Sequence, residues 1–292
     1  MESKTATQGF FGGVNVTALL PQKDFVVSID LFGDPQPGVY KFLELQRGLQ
    51  TVVVGEHDYV PNTDSGFPMC RNMAPLTRFL HGQKGLEIGG PSELMRGLGI
   101  YTDPAHLDNM HLFTAPGPYI VRDKTSSGNT FFGDAENMGF IKPESYDFVF
   151  SSHMLEHTVN PLQILKQMAS VIKPGGHCVV VLPFKDLTFD HRRPTTDFQH
   201  LLQHYKNKST EQDSIMDHVT PELLQQYDFT RDIPAGNPTQ FFERCKLNPQ
   251  NRLFHIHVFN FELLAQCFEF IGFNPVYFQL VGMNQIVVAQ KH

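Results

Sequence analysis

Acidic, glycine and histidine residues follow several short apolar runs in this sequence, where they could bind a polar ligand. Glu87 lies in one such run, which leads directly into Gly89 and Gly90. Glycine permits a tight turn and close approach of a ligand, and Pro91 with Ser92 can begin a helix. Because Pro91 stands where a G-x-G-x-x-G loop has its second glycine, a pyrophosphate site is not predicted. An acid before the turn suits a ligand that offers hydroxyl groups or a cation, and an ordinary strand–turn–helix is the alternative.

Other polar residues follow apolar runs further along the chain. The carboxyl ends of parallel strands meet at one edge of a sheet, so these side chains are expected to lie together. Carboxylates there could accept hydrogen bonds from ribose hydroxyls and an adenine amino group, and a solvated loop residue is the alternative for each acid alone. The residues expected at these strand ends are Asp108, Asp134, Ser151, Ser152 and His153.

From about residue 76, segments with strand character alternate with helical segments. Apolar residues at helical spacing predict a helix over Pro161–Ile172, which Pro174 and two glycines end. The alternation predicts an α/β fold with a mainly parallel sheet, and a final hairpin makes the last strand antiparallel. Besides the run containing Glu87, strands are predicted over Ala105–Leu107, Thr130–Gly133, Tyr146–Ser151, Cys178–Leu182, Pro275–Val281 and Gln285–Ala289.

Residues 1–75 have a different pattern and are predicted to form a small β-rich extension after a loose leader of about 20 residues. The main domain is then 76–292, in which the polar insertion at about 184–254 could cover a substrate or form a dimer surface. Strands in the extension are predicted over Asp24–Phe32, Val39–Leu45 and Thr51–Gly55.

Composition excludes several classes of partner. The formal charge of −7 and the absence of a long basic run argue against nucleic-acid binding. No apolar run approaches the roughly 20 residues of a membrane span, and the amino terminus lacks the apolar core of a signal peptide. The 4 cysteines form no C-x-x-C pair, so a reducing cytoplasm is expected. The predicted partner is a small molecule, and a homodimer is considered.

Several successive motifs of the sequence carry a family resemblance. The chain from about residue 85 to 292 resembles the class I S-adenosylmethionine-dependent methyltransferases, in particular a bacterial-type branch whose first motif is L-E-I-G-G-P-S. The fold this implies is a Rossmann-like methyltransferase sheet. The matching stretches are Leu-Glu-Ile-Gly-Gly-Pro-Ser at 86–92, Gly-Asp-Ala-Glu-Asn at 133–137, the strand and turn at 145–157, Val-Ile-Lys-Pro-Gly-Gly at 171–176, Thr-Phe-Asp-His-Arg-Arg-Pro at 188–194 with Thr196, and His-Ile-His-Val-Phe at 255–259.

The resemblance implies S-adenosyl-L-methionine as cofactor and S-adenosyl-L-homocysteine as product. It assigns the glycine loop to the methionine and ribose part, Asp108 to the ribose hydroxyls, and the turn after residue 150 to the region under the sulfonium. It assigns Asp134 and Ala135 to the adenine. The implied cofactor-binding residues are Glu87, Gly89, Gly90, Pro91, Ser92, Asp108, Asp134, Ala135, Ser151, Ser152 and His153.

Removal of a proton from the methyl acceptor is the chemical task left to such a protein, and histidine suits it. His191 is expected to overhang the pocket as a catalytic base that Asp190 orients, and His153 is a second catalytic candidate. Arg192 and Arg193 could hold an anionic or polyhydroxylated substrate by forked hydrogen bonds, or could be internal ion-pair partners.

Three further histidines are candidates for substrate binding. His157 could instead cap or pack, and His255 with His257 could be a base, a metal pair or a packed structural pair. A metal site could combine a histidine with Asp190 or Glu156, but no spacing is diagnostic, so no metal ligand is predicted.

The function expected first is O-methylation of a small polar acceptor, a hydroxyl of a sugar or related metabolite. The second is N-methylation of an amine, amino acid or secondary metabolite. Aromatic and acidic residues could surround such a cation, and the candidates are Phe189, Asp190, Tyr205 and Tyr227. The third is a binding module that keeps the fold without turnover.

Overall fold

The computed structural model describes residues 76–90, 106–111, 128, 130–210 and 215–292, together with seven short strands before residue 71. Pro91, Ser92 and the helix expected after them lie outside the described residues. In the seven early strands the backbone alone is described.

A single mixed sheet organises the main domain. Five strands are parallel, and the hairpin of β13 and β14 places β14 antiparallel to both of its neighbours. The order across the sheet is β10-β9-β8-β11-β12-β14-β13, which confirms the predicted α/β fold with an antiparallel last strand. The strands are β8 (Lys84–Ile88), β9 (His106–His111), β10 (Thr130–Phe132), β11 (Tyr146–Ser152), β12 (Ile172–Pro183), β13 (Phe273–Val281) and β14 (Asn284–Lys291).

The strand order reverses between β8 and β11. From β8 the chain adds β9 and β10 on one side, and it then returns to add β11 and β12 on the other. In open α/β sheets the crevice at such a reversal, at the carboxyl ends of the strands, is where ligands bind. Gly89, directly after β8, and His153, directly after β11, therefore flank the expected ligand position.

The early strands continue the sheet beyond β13. The predicted extension is thus made of strands. A β4–β5 hairpin joins β13 in parallel through Val52 opposite Phe278. The predicted loose leader is partly wrong, because two strands form within it and β1 pairs with β4. Of the strand predicted over Asp24–Phe32, two residues are described as strand. These elements are β1 (Gln8–Phe11), β2 (Val14–Asn15), β3 (Phe25–Val26), β4 (Phe42–Arg47), β5 (Gln50–Gly55), β6 (Tyr59–Val60) and β7 (Met69–Cys70).

Several helices begin at a capping side chain. Asn160, Asp197 and Asn260 each accept a hydrogen bond from a backbone N–H of the first turn, which contributes about 1 kcal/mol per helix. In the described part of the chain, no helix has the length and apolar character to cross a membrane. The α-helices are α1 (Thr77–Leu80), α2 (Pro161–Val171), α3 (Phe198–Asn207), α4 (Pro221–Gln226), α5 (Pro238–Lys246), α6 (Asn248–Asn251) and α7 (Phe261–Phe270), and short 3₁₀ helices span Leu155–His157, Lys185–Leu187, Ile215–His218 and Ile233–Ala235.

Two clusters of buried apolar side chains lie in the described part of the chain. The larger one packs α2 and α7 against the sheet, with Leu165 and Phe268 fully buried. The smaller one lies mostly within the insertion, where Phe241 and Phe254 are buried, and each buried phenylalanine contributes about 1.5–3 kcal/mol. The insertion predicted as a cover is therefore a packed unit of short helices.

We predict that Gly85→Ala lowers the stability of the protein. A Cβ at Gly85 would lie 2.0 Å from Cζ of the buried Phe148, and a core without space loses about 1–3 kcal/mol on such overpacking. Urea unfolding followed by circular dichroism measures the loss. The matched control is Gly139→Ala, whose Cβ would meet its nearest atom at 3.5 Å. Equal stability of the two variants would contradict the packing described for β8.

Candidate active site

The glycine loop after β8 is shaped by the side chain of the acid that precedes it. Glu87 is buried, and a Cβ on Gly90 would lie 2.4 Å from its Cδ, so only glycine fits beside the carboxylate. Gly89 has a φ of 81°, in the region that favours glycine, and its N–H donates to the carbonyl of Met110 at 2.9 Å. The loop thus keeps backbone, rather than side chain, at the carboxyl end of β8.

The neighbouring strand ends supply an acid and small residues. Asp134 follows β10, is exposed, and accepts a hydrogen bond from the N–H of Glu136 at 2.9 Å, while Ala135 is buried. Ser151 and Ser152 end β11, the first buried and the second partly exposed. These residues lie at the same edge of the sheet as the glycine loop.

Asp108 does not lie at a strand end, so that prediction is wrong. Strand β9 runs from His106 to His111, and Asp108 lies inside it opposite Leu86 of β8. Its buried carboxylate accepts a hydrogen bond from the hydroxyl of Tyr146, the first residue of β11, at 2.6 Å. The carboxylate therefore faces the amino end of β11, away from the edge where a ribose is expected.

His153 lies at the reversal point in a left-handed conformation, with φ of 49°. Its Nδ1 lies 3.4 Å from Oε1 of Glu156, and its Nε2 lies 2.7 Å from Oδ1 of Asn284. Both ring nitrogens thus face oxygen acceptors. Burial alone would lower the pKa of His153, but the hydrogen bond and charge of Glu156 and the bond to Asn284 raise it. The raised pKa favours the protonated ring, which does not favour the predicted role as a base.

Glu156 is a second fully buried acid of this region. Burial alone would raise its pKa, but the neighbouring imidazoles of His157 and His153 lower it, so the group stays a carboxylate. Two histidines pair with its carboxylate, because Oε1 lies 3.4 Å from Nδ1 of His153 and 3.7 Å from Nε2 of His157. His157 binds the carbonyl of Phe254 through Nδ1 at 3.0 Å, and burial lowers its pKa to about 4, so it is neutral.

Asp190 forms a buried pair with His255. Its Oδ2 lies 2.6 Å from Nδ1 of His255, and its Oδ1 accepts from Nη1 of Arg193 at 2.7 Å. Burial alone would raise the pKa of Asp190, but the charges and hydrogen bonds of His255 and Arg193 lower it, so Asp190 remains ionised. As a hydrogen bond from Nδ1 to the carboxylate fixes the ring tautomer, Nε2 of a neutral His255 carries the lone pair.

One predicted pairing in this stretch is wrong, and one of two alternatives is favoured. Asp190 does not orient His191, whose Nε2 instead lies 2.9 Å from Oδ2 of Asp228. Arg193 is buried and donates to Asp190 and to the carbonyls of His255 and Ile256, which favours the alternative of an internal ion-pair partner. Arg192 stays largely exposed and also reaches Asp228, at 3.3 Å.

A small cavity lies between the end of β12 and the insertion. Glu156, Asp190, His255 and Lys185 supply its polar atoms. The other lining residues are Leu182, Pro183, His257, Val258 and Phe259. Because Pro183 ends β12, this cavity lies at the same sheet edge as the glycine loop, beside the His255–Asp190 pair. Its volume of about 10 Å³ is room for one water molecule.

The aromatic residues considered for an amine substrate do not form one group. Phe189 packs on Tyr227 and His255, with ring centroids 4.8 and 4.5 Å apart. Tyr205 instead packs on Phe270 in the larger apolar cluster. An aromatic cage that combines Phe189, Tyr205 and Tyr227 is therefore not present.

The sequence was compared with known protein families, and the result agrees with the strand order and with the residues at the strand ends. Residues 103–277 match a family described as a methyltransferase domain, and this stretch is more than half of the chain. The chain belongs to this methyltransferase domain family. That membership confirms the superfamily expected from the motifs, with its enzyme class and S-adenosylmethionine as the cofactor of the family.

Individual relatives match this chain either over a short stretch or at low sequence identity. A stretch of 43 residues is 44% identical to a ubiquinone biosynthesis O-methyltransferase of Aliivibrio fischeri and spans 15% of this chain and 18% of that protein. A SAM-dependent methyltransferase from Aquifex aeolicus aligns with a TM-score of 0.43 and 11% identity over 74% of this chain and 86% of its own. An S-adenosylmethionine-dependent methyltransferase from Mesorhizobium loti aligns with a TM-score of 0.42 and 12% identity, over 74% of this chain and 96% of its own. Because both TM-scores are below 0.5, these structures add nothing to the family assignment.

We predict that Arg193→Met destabilises the methyltransferase domain by about 3–5 kcal/mol, because it leaves the buried Asp190 carboxylate without its cationic partner. Urea unfolding followed by circular dichroism measures this loss. The control is Arg192→Met, which removes a largely exposed cation and should cost about 1 kcal/mol or less. Similar losses in both variants would mean that the buried pair is not a main support of the insertion.

We predict that the stabilising effect of His153 depends on pH. The folded protein raises the pKa of His153 above its ordinary value of 6.5, so the folded state binds this proton more tightly than the unfolded chain. The contribution is fully present below pH 6.5 and is lost as the pH rises through the raised pKa. The stability difference between the wild type and His153→Gln should therefore be larger at pH 6 than at pH 9, by urea unfolding. A difference that grows with pH would contradict the assignment.

Proposed function

We propose that this chain transfers a methyl group from S-adenosylmethionine to a hydroxyl of a small polar molecule, a sugar or related metabolite. The observation that carries the proposal is the buried pair of Asp190 and His255, which lines a cavity at the carboxyl end of β12. A hydroxyl acceptor loses its proton during methyl transfer, and this pair is suited to take it.

The residues at the sheet edge fit the proposed cofactor. The Glu87 side chain fills the space that a Cβ on Gly90 would need, so glycine keeps the backbone close to this carboxylate at the carboxyl end of β8. When bound, the cofactor supplies an electrophilic methyl group. We assign Glu87, Gly89 and Gly90 to its methionine and ribose part, and the remaining contacts to Asp134, Ala135, Ser151 and Ser152. We assign His153, whose pKa is raised, a positioning role rather than proton removal.

His255 is proposed as the base. Asp190 accepts its Nδ1–H and leaves Nε2 free to take a proton, and the carboxylate then stabilises the imidazolium. Arg193 fixes Asp190 and also holds the carbonyl of His255, so the ring is positioned from both ends. His191 remains a second candidate, although Asp228 engages its Nε2.

A hydroxyl acceptor agrees better with the site than an amine. A neutral amine can attack the methyl group before it loses a proton. A hydroxyl becomes a better nucleophile when a base removes its proton. Glu156 lines the same cavity, and its carboxylate can accept hydrogen bonds from a polyhydroxylated acceptor. The relative from Aliivibrio fischeri carries the name of an O-methyltransferase, which supports this choice. Arg192, His157 and Lys185 are proposed as further acceptor contacts, and a cytoplasmic location and a homodimer stay predictions.

We predict that His255→Gln lowers kcat by about 10²–10⁴-fold, the range for loss of a general base, while S-adenosylhomocysteine still binds. Calorimetric titration checks the cofactor, and release of S-adenosylhomocysteine measures turnover. His191→Gln is the parallel variant. If His191→Gln abolishes turnover and His255→Gln does not, the base is His191.

The acceptor class is tested by the same assay across sugars, glycosides and amines, with the methylated atom located by mass spectrometry. Turnover on hydroxyl acceptors alone would support the proposal, and turnover on amines alone would replace it with N-methylation. Binding of the cofactor without turnover on any acceptor would favour a binding module.

A further inference from the structure

A group of three histidines lies outside the site described above. His200 and His204 belong to α3, and His218 ends the 3₁₀ helix Ile215–His218. Nε2 of His200 lies 3.1 Å from Nε2 of His204 and 3.2 Å from Nε2 of His218. Each of the three histidines can offer one ligand atom, and these atoms all lie within 4.8 Å of one another.

The sequence positions explain how the group forms. His200 and His204 are four residues apart, so they lie on the same face of α3. Asp197 caps the start of this helix, and its ten residues hold the two rings side by side, with centroids 4.5 Å apart. The 3₁₀ helix then brings His218 against both, with centroids 5.3 and 5.0 Å from His200 and His204.

Hydrogen bonds between the rings cannot account for this arrangement. A neutral imidazole nitrogen carries either one hydrogen or one lone pair, so Nε2 of His200 can serve one of its two short contacts but not both. A metal ion at the centre would accept all three lone pairs at once. Zn–N bonds of about 2.0–2.1 Å in tetrahedral geometry place ligand nitrogens about 3.3–3.4 Å apart, close to the two spacings found.

His257 adds a fourth imidazole beside the group. Its ring centroid lies 5.6, 5.9 and 5.3 Å from those of His200, His204 and His218. It is 1% exposed, its Nε2 binds the carbonyl of Val159 at 3.1 Å, and its buried Nδ1 has no hydrogen-bond partner in the described structure. A carbonyl at Nε2 fixes that nitrogen as the donor, so Nδ1 carries a lone pair that can accept from a metal-bound water.

We propose that His200, His204 and His218 bind a zinc ion through Nε2, with the fourth position open beside His257. Three neutral imidazoles and an open position are the ligand set of zinc sites that keep a water or substrate oxygen. The ion would join α3 to the 3₁₀ helix that follows it and so fix this part of the insertion. This replaces the expectation of no metal ligands, and it does not depend on the proposed methyl transfer.

The proposal is tested on the full-length protein after dialysis against EDTA. Zn²⁺ is added back and measured by mass spectrometry of the metal, and its affinity by competition with a chromophoric chelator. One equivalent should bind, and His200→Gln combined with His204→Gln should weaken binding at least 100-fold. The matched control is His81→Gln, which removes an exposed histidine outside the group and should bind as the wild type does.

Two further results would decide the matter without relying on the folding of a variant. X-ray absorption of the zinc-loaded wild type should give about three imidazole nitrogens at about 2.0–2.1 Å. Absence of stoichiometric zinc in the wild type, or a coordination shell without imidazole, would overturn the proposal. So would unchanged affinity in the folded double variant, which would place the ion elsewhere, for example at Glu156, His157 and His255.

Discussion

The buried carboxylate of Asp190 is the interaction on which the acceptor side of the molecule depends. It joins the beginning of the insertion to the segment that returns to the sheet, since it contacts both Arg193 and His255. An ionised group with so little exposure is tolerated because each oxygen has a charged or polar partner. Arg193 extends the link to the carbonyls of His255 and Ile256, so one carboxylate sets the position of two chain segments.

Regular elements with strong local patterns could be predicted from the sequence. The helix predicted over Pro161–Ile172 is found as Pro161–Val171, and the strand predicted over Tyr146–Ser151 is one residue longer. Local signals sufficed there because apolar spacing and capping residues act within a few positions. Strand β9 lacked such a signal, so its placement was off by a few residues, and this moved Asp108 from an expected strand end into a strand.

The partners of charged side chains were beyond what the sequence could specify. Asp190 and His191 are adjacent, which favoured their pairing, yet each binds a residue far along the chain, His255 and Asp228. Such pairs depend on how the insertion folds back, and no local pattern encodes that path. The histidine group had one usable signal, the four-residue spacing of His200 and His204. The third member, His218, becomes a neighbour only once the helices are packed.

The parallel contact between β5 and β13 has a consequence for how the molecule is made. Val52 and Phe278 belong to nearly opposite ends of the chain, yet they are neighbours in one sheet. During synthesis the β4–β5 hairpin emerges long before β13 is made, so the edge of β5 stays unpaired until then. Pairing of such distant segments is slow, and an unpaired edge can template aggregation. Expression at low temperature or with chaperones should therefore favour recovery of the intact sheet.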